Sequence, residues 1–280
     1  MPQTLIIGCG YIGLPLALRL KEAGREITAW VHSAASAESL ASHRFHHVIS
    51  GSVADGRLWE EGTDKYDLVI HCASSGGGGE AAYEEVFLKG VLMMHEYQPR
   101  ARKLFVSSTS VYRQNQGEVV TEKSPADPDT ATGRILRVAE KVALGSDATV
   151  VRSTGIYGSD RGVLFEKFRR GEAIIEGDGL RWINQIHQRD LVAALAHLID
   201  AGARGEIYNA TDDAPVTTLD FYTWCSEFLH KPLPPHGAVN LLRKRGLTSK
   251  RVSNAKLRST GWSPAYPSFR EGLTADHSPK

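Results

Sequence analysis

The sequence predicts an α/β fold built on a doubly wound parallel sheet, and three observations carry that prediction. Residues 4–7, 26–31, 67–73 and 103–106 are short runs dense in apolar and β-branched side chains, as buried parallel strands are. Stretches with helical periodicity separate them. Gly8-Cys9-Gly10-Tyr11-Ile12-Gly13 follows the first run directly and opens a helix, which is how a βαβ unit begins.

The elements follow in order. After the glycine turn, Leu14, Leu16, Ala17, Leu18 and Leu20 continue as an apolar-rich helix that Gly24 closes, and residues 26–31 form the second strand. A helical stretch reaches about Ser42, and Val48-Ile49 reads as a short third strand. Gly51 to Asp55 is a loop before a helix around Leu58-Trp59-Glu60. The fourth strand, through Ile70 and His71, runs into Ser74-Ser75 and four consecutive glycines. Residues 80–98 carry helical periodicity with Tyr83, Val86, Phe87, Val91, Leu92 and His95 as the facing side chains, Met93 and Met94 as packing, and Pro99 as the stop. The fifth strand empties into Ser107-Ser108-Thr109-Ser110-Val111-Tyr112. Residues 113–132 form a loop, and 133–144 a helix.

Charge and cysteine usage narrow the function. Lys and Arg number 33 against 32 Asp and Glu, a net charge of +1 that gives no support for a nucleic-acid or anionic-membrane partner. A small-molecule substrate is the expectation. Cys9, Cys72 and Cys225 are odd in number and lack a C-x-x-C spacing, as in a reducing compartment. No apolar run approaches the roughly 20 residues that span a bilayer, and Met1-Pro2-Gln3 leads straight into a strand rather than a signal peptide. The expected location is cytoplasmic. The 280 residues suffice for one large domain or a nucleotide domain with a smaller companion.

The glycine turn carries the chemistry. A strand that ends in G-x-G-x-x-G and opens a helix gives a tight turn, close backbone approach and amide donors for a pyrophosphate, so Gly8, Gly10, Tyr11, Ile12 and Gly13 are candidate dinucleotide contacts in a Rossmann-type fold. NAD-selective folds place an acid about 20 residues further on for the ribose 2′-hydroxyl. Val31, His32 and Ser33 stand there instead, and His32 with Ser33 could donate to a 2′-phosphate, so NADP is preferred to NAD. The four-glycine loop lies at a strand's carboxyl end, where it either lets backbone approach the cofactor or serves as a connector. The hydroxyl run 107–110 offers hydrogen bonds to a substrate oxygen or ordinary turn caps. His43, His46 and His47 invite a metal reading, but strand alternation sends His46 and His47 to opposite sides, and solvated histidines are favoured; no metal is expected.

Five stretches and a tail together resemble the extended short-chain dehydrogenases/reductases, the NAD-dependent epimerase/dehydratase family. They are the turn through Gly13, residues 67–73, 104–112 and 151–158, residues 183–195 followed by Gly205-Glu206-Ile207-Tyr208-Asn209, and 253–257 through Gly261-Trp262-Ser263-Pro264. The resemblance implies a dinucleotide-binding domain over residues 1–155, its sheet completed by about 184–212, and a smaller C-terminal substrate-side domain of 156–183 and 213–280. It further implies that Cys72, Ala73 and Ser74 pass the ribose, and that Ser107, Ser153 and Thr154 line the cofactor's path. Ser108 takes the active-site hydroxyl position, and a homodimer is the family's usual assembly.

Two departures stand out. The family's Y-x-x-x-K falls in Thr132-Gly133-Arg134-Ile135-Leu136, so the tyrosine is Thr132 and the lysine Leu136. A phenol of pKa about 10 works near neutral pH only beside a stabilising cation, and an aliphatic hydroxyl is a far weaker acid. Tyr157 and Tyr112 are the remaining candidate proton donors, Tyr157 the catalytic choice and Tyr112 more structural. In Val151-Arg152-Ser153-Thr154-Gly155-Ile156-Tyr157-Gly158, Gly155 replaces an Asn that contacts sugar nucleotides. These departures resemble the YeeZ-like subgroup of atypical short-chain dehydrogenases. The expected function is an NAD(P)-dependent oxidoreductase or epimerase/dehydratase-like enzyme acting on a carbonyl or hydroxyl of a small, sugar-derived substrate. The alternative is a non-catalytic NAD(P)-binding redox sensor.

Three further features stay open. His187 and Asp190 are either a site pair or a structural pair with Asp190 as a helix N-cap. Phe221, Trp224, Cys225 and Phe228 form a stripe expected in the core. Arg243-Lys244-Arg245 through Lys250-Arg251 either grips an anionic substrate or is solvated surface.

Overall fold

The computed structural model of the chain describes residues 1–60, 62–240 and 248–277. The chain divides into two compact units: residues 1–111, 126–152 and 192–208, and residues 112–125, 153–191 and 209–280. Residues 112–125 thus belong with the second unit, although they follow the fifth strand without a break in sequence.

The first unit is built on a seven-stranded parallel sheet, Rossmann-like in architecture. Its strands are β1 (Gln3–Ile7), β2 (Glu26–Val31), β3 (His47–Ser50), β4 (Leu68–His71), β5 (Arg102–Ser108), β6 (Thr149–Ser153) and β7 (Ile207–Ala210), in the spatial order β7-β6-β5-β4-β1-β2-β3. The order reverses at β1, with β2 on one side and β4 on the other. Ligands of open α/β sheets bind at such a switch point, outside the carboxyl ends of the strands. Leu5, Ile6, Leu68, Val69, Ile70, Leu104 and Phe105 are inaccessible to solvent. Each such side chain contributes about 1.5–3 kcal/mol relative to its exposed state.

The helical stretch after the glycine loop is not a plain α-helix. An α-helical turn, Glu80–Tyr83, passes into a π-helical segment, Glu84–Lys89, before the α-helix Gly90–Tyr97. The wider turn shifts the phase, so Tyr83, Phe87, Val91 and Met94 face inward while Leu92 and His95, expected to face the core, are exposed. The cause lies on β4. His71 Nε2 bonds Val86 O at 2.8 Å, and a Cβ at residue 90 would stand 2.5 Å from that nitrogen, so Gly90 makes room for the imidazole. Burial pushes the His71 pKa down to about 4.

In the second unit, Tyr157, Phe165, Phe168, Ile175, Phe221, Cys225, Phe269 and Leu273 form a core, and Trp224 and Phe228 pack against it half-buried. Two-residue and three-residue strands pair around it. Gly155–Tyr157 runs parallel to Gln185–His187. Within the expected loop 113–132, Glu118–Val120 forms a strand parallel to Lys250–Val252. Residues 243–245 of the basic stretch lie outside the described residues.

Candidate dinucleotide site

β1 leads into Gly8, whose N–H donates to Trp30 O at 2.9 Å; Cys9 N donates to the same oxygen at 3.0 Å, and Gly10 N to Gly8 O at 2.8 Å. Each glycine has a different reason to be one. Gly8 adopts φ +86, and a Cβ there would lie 2.3 Å from Ala73 Cα. A Cβ on Gly13 would lie 2.2 Å from Gly8 O, so the helix Gly13–Glu22 starts directly against the turn. Cys72 closes the contact from β4: its N–H donates to Ile7 O at 2.9 Å and its Sγ bonds Gly8 O at 3.5 Å.

Gly10 differs. Its φ is not in the positive region, it is exposed, and a Cβ there would meet nothing within 4 Å. Among the described residues, no packing requires a glycine at residue 10. Ile12 is buried at the head of the helix, Tyr11 is half-buried, and no side chain caps this helix start. Burial pushes the Cys9 thiol up to about 12 and raises the Cys72 thiol further, so neither is a thiolate near neutral pH.

At the end of β2, His32 is exposed. Ser33 caps the helix Ala34–Ser39: its Oγ accepts from Ser36 N at 3.2 Å and shares a proton with Ser36 Oγ at 2.9 Å. The Ser33 hydroxyl is thus engaged locally. Ser74, beyond Ala73, is exposed.

β5 ends in the hydroxyl run. Ser107 is buried, and its Oγ donates to Glu140 Oε1 at 2.6 Å. Ser108 is half-buried; its Oγ accepts from Ser110 N at 3.1 Å and its proton goes to no described residue. In the helix Ala131–Gly145, capped by Thr130 Oγ1 on Gly133 N at 3.1 Å, Thr132 is half-buried and Leu136 buried. Four residues on, Glu140 is fully buried. It takes Arg152 Nε and Nη2 at 2.8 and 2.6 Å and Arg137 Nη1 at 2.8 Å. Through these bonds the Glu140 carboxyl ties β5, the helix and β6 together. Sequence spacing placed Glu140 four residues beyond Leu136 but offered no sign of its partners.

In the second unit the expected site residues are turned inward. Tyr157 is 2% exposed, its hydroxyl donates to Ser268 O at 3.3 Å, and a Cβ at Gly272 would stand 2.3 Å from the Tyr157 hydroxyl oxygen. Burial, then the carboxylates of Asp212, Asp190, Asp276 and Glu271, push its pKa well above the ordinary phenol range. A neutral-pH proton donor needs the reverse. Ser153 Oγ donates to Thr154 O at 3.1 Å, and Thr154 donates to Ala210 O through N at 3.1 Å and Oγ1 at 3.3 Å. His187 Nε2 lies 3.1 Å from Asp276 Oδ2. Asp190 sits inside the first turn of the helix Gln188–Ala201 rather than at its N-cap; its carboxylate accepts from Ala265 N at 2.7 Å and Tyr266 N at 2.9 Å. Tyr112 OH donates to Asn209 Oδ1 at 3.0 Å, a structural bond.

Among the described residues, no group of three or more His, Cys, Asp or Glu could hold a metal, and no helix is long and apolar enough to cross a membrane.

Comparison with known proteins gives a consistent family. The profile of the "NAD dependent epimerase/dehydratase family" matches residues 4–211. Protein YeeZ of Escherichia coli K12 is 28% identical over 242 residues, covering 82% of this chain and 84% of its own. The dTDP-glucose 4,6-dehydratase of Bacillus anthracis, solved with NAD, superposes with a TM-score of 0.80 at 18% identity, over 98% of this chain and 94% of its own. The UDP-glucuronic acid 4-epimerase of Bacillus cereus, solved with UDP-glucuronic acid and NAD, gives 0.79 at 17% identity over 98% and 97%.

Proposed function

The chain belongs to the NAD dependent epimerase/dehydratase family, and from that premise we propose that its first unit binds a nicotinamide dinucleotide for catalysis on a small substrate. Gly10 carries the proposal. Gly8 is required by Ala73 and Gly13 by the Gly8 carbonyl, whereas no described residue makes a side chain at Gly10 costly, so a bound group is what its absence would serve. The backbone of Gly8 to Gly13 would hold the pyrophosphate, with Ala73 and Ser74 beside the ribose. Bound there, the nicotinamide supplies a hydride donor or acceptor.

The reaction class proposed is oxidation and reduction at a carbonyl or hydroxyl, as in an oxidoreductase or an epimerase/dehydratase, on a sugar-derived compound. Ser108 would hydrogen-bond the reacting oxygen, because its proton is uncommitted, in contrast to those of Ser107 and Tyr157. The second unit is proposed to recognise the substrate. NADP is preferred to NAD: no carboxylate ends β2, and with Ser33 engaged as a cap, exposed His32 is the donor left for a 2′-phosphate. A homodimer belongs to the proposal; Leu92 and Val138, exposed on their helices, are apolar side chains that such pairing would cover.

A second function is favoured by one observation. Leu136 is buried, 2% exposed, and in the register that the resemblance implies Thr132 and Leu136 take the places of the family's Tyr and Lys, which would leave no cation at that position. A dinucleotide-binding redox sensor without turnover needs none.

The test is absorbance at the nicotinamide band across a panel of carbonyl, alcohol and nucleotide-sugar substrates, for wild type and Ser108→Ala. Catalysis predicts turnover on some member, lost in the variant while cofactor binding persists. Tight cofactor binding without turnover on any member would select the sensor.

A further inference from the structure

In the second unit, Lys250–Val252 pairs with Glu118–Val120 in the register Lys250–Glu118, Arg251–Val119, Val252–Val120. Side chains alternate along a strand. Lys250 and Val252 are buried, and Arg251 stands on the outer face beside Val119, itself 58% exposed.

Two contacts fix the Arg251 side chain. Its Nε donates to Gly117 O at 2.9 Å, and its guanidinium carbon lies 5.2 Å from the centre of the Trp182 ring. The indole is held in turn. Trp182 N donates to Ser249 Oγ at 3.1 Å, and Gly117, at φ +77, comes so close that a Cβ would lie 3.1 Å from the indole Nε1. The guanidinium is therefore anchored at Nε and held over the indole, while Nη1 and Nη2 hydrogen-bond no described residue.

The neighbouring cation likewise forms no ion pair among the described residues. Lys250 Nζ donates to two neutral acceptors, Tyr112 O at 2.9 Å and Thr248 Oγ1 at 2.7 Å. Burial pushes its pKa down to about 8, a shift the Glu118 charge opposes. Glu118 itself accepts from Gln116 N at 2.8 Å. An arginine fork matches carboxylate and phosphate oxygens in pairs, and one already immobilised loses little freedom on binding. Trp182 and Val119 add apolar surface beside it.

We propose that Arg251, held over the Trp182 ring, is a binding site for an oxyanion, carboxylate or phosphate, carried on a small body whose apolar part lies against Trp182 and Val119. Under the function proposed above, that oxyanion is a group of the substrate; the binding itself does not depend on the dinucleotide.

The experiment follows the indole N–H resonances of 15N-labelled protein, without any nicotinamide nucleotide, as phenyl phosphate or benzoate is added. Trp182→Phe identifies the resonance of Trp182. The expected result is a saturable shift of that resonance, with affinity at least tenfold weaker in Arg251→Gln and partly kept in Arg251→Lys. The two additives separate the sources: saturation by phenyl phosphate alone marks a phosphate, by benzoate alone a carboxylate. The other indole resonances, unmoved, show that each variant is folded. A Trp182 resonance that fails to shift with either compound, or that titrates alike in wild type and Arg251→Gln, would overturn the proposal.

Discussion

The glycine turn and the Tyr157 cluster are opposite kinds of polar region. Around Tyr157, Asp190, Asp212, Asp276 and His187 lie close together, and burial raises the pKa values of Tyr157, Asp212 and Asp190. Yet each of these side chains is held by a partner within the unit: Tyr157 by Ser268 O, Asp190 by Ala265 N and Tyr266 N, Asp212 by Ala214 N, and His187 by Asp276. At the turn only the Cys9 and Cys72 thiols are shifted, by burial, while a Cβ at Gly10 would meet no described residue, and at the end of β5 the Ser108 proton goes to no described acceptor. Shifted titration marks functional sites only in part, because structural burial shifts groups as well. Here an unexplained glycine is the better guide than a perturbed phenol.

The contrast can be broken at several points. The largest effect is expected for Gly8→Ala. A Cβ at φ +86 and 2.3 Å from Ala73 Cα combines backbone strain with overpacking, for a loss of about 3 kcal/mol. Urea unfolding measures it, and a change under about 1 kcal/mol would mean that the turn yields more readily than this packing allows.

Asp212→Asn comes next, with the opposite sign. Burial, with Asp213, Asp190 and Glu271 nearby, pushes the Asp212 pKa up to about 8 from 3.8. The folded protein then holds a proton that the unfolded chain releases, so this group's contribution to stability falls as pH rises from about 4 to about 8. The amide keeps the acceptor for Ala214 N and cannot ionise. The variant should gain roughly 1–3 kcal/mol over wild type at pH 8 and little at pH 4. Equal pH profiles of thermal unfolding for the two proteins would contradict this.

Tyr157→Phe should do least. It removes one hydrogen bond of 3.3 Å to Ser268 O, worth about 1 kcal/mol. Dinucleotide affinity should stay as in wild type, and a phenol that mattered for the cofactor would show itself by a clear fall.

Much of the first unit was legible in sequence because its signals are local and long enough. β1, β2, β4 and β5 centre on short apolar runs, and the helix Ala131–Gly145 is legible from its apolar periodicity over 133–144, whereas its first turn and the Thr130 cap fall in what reads as loop. What escaped depends on partners distant in the chain. Three residues at 118–120 become a strand only through 250–252. The π-helical segment exists because His71, on another element, bonds Val86 O, and that is why Leu92 and His95 were assigned to the wrong face. At the site, the glycines and Ser108 could be read from the motif, whereas the tie of Ser107 to Glu140 rests on a contact 33 residues apart. Lys250 and Arg251 read as one basic stretch, although they point to opposite faces of a strand.

The most direct measurement is calorimetric titration of NADPH and NADH into wild type and Gly10→Ala. Because a methyl group at residue 10 meets nothing in the chain, the variant should unfold within about 0.5 kcal/mol of wild type. Its dinucleotide affinity should nevertheless fall at least tenfold, with NADPH the tighter ligand of wild type. A wild type that binds neither nucleotide, or a Gly10→Ala protein that binds as well as wild type, would contradict the account.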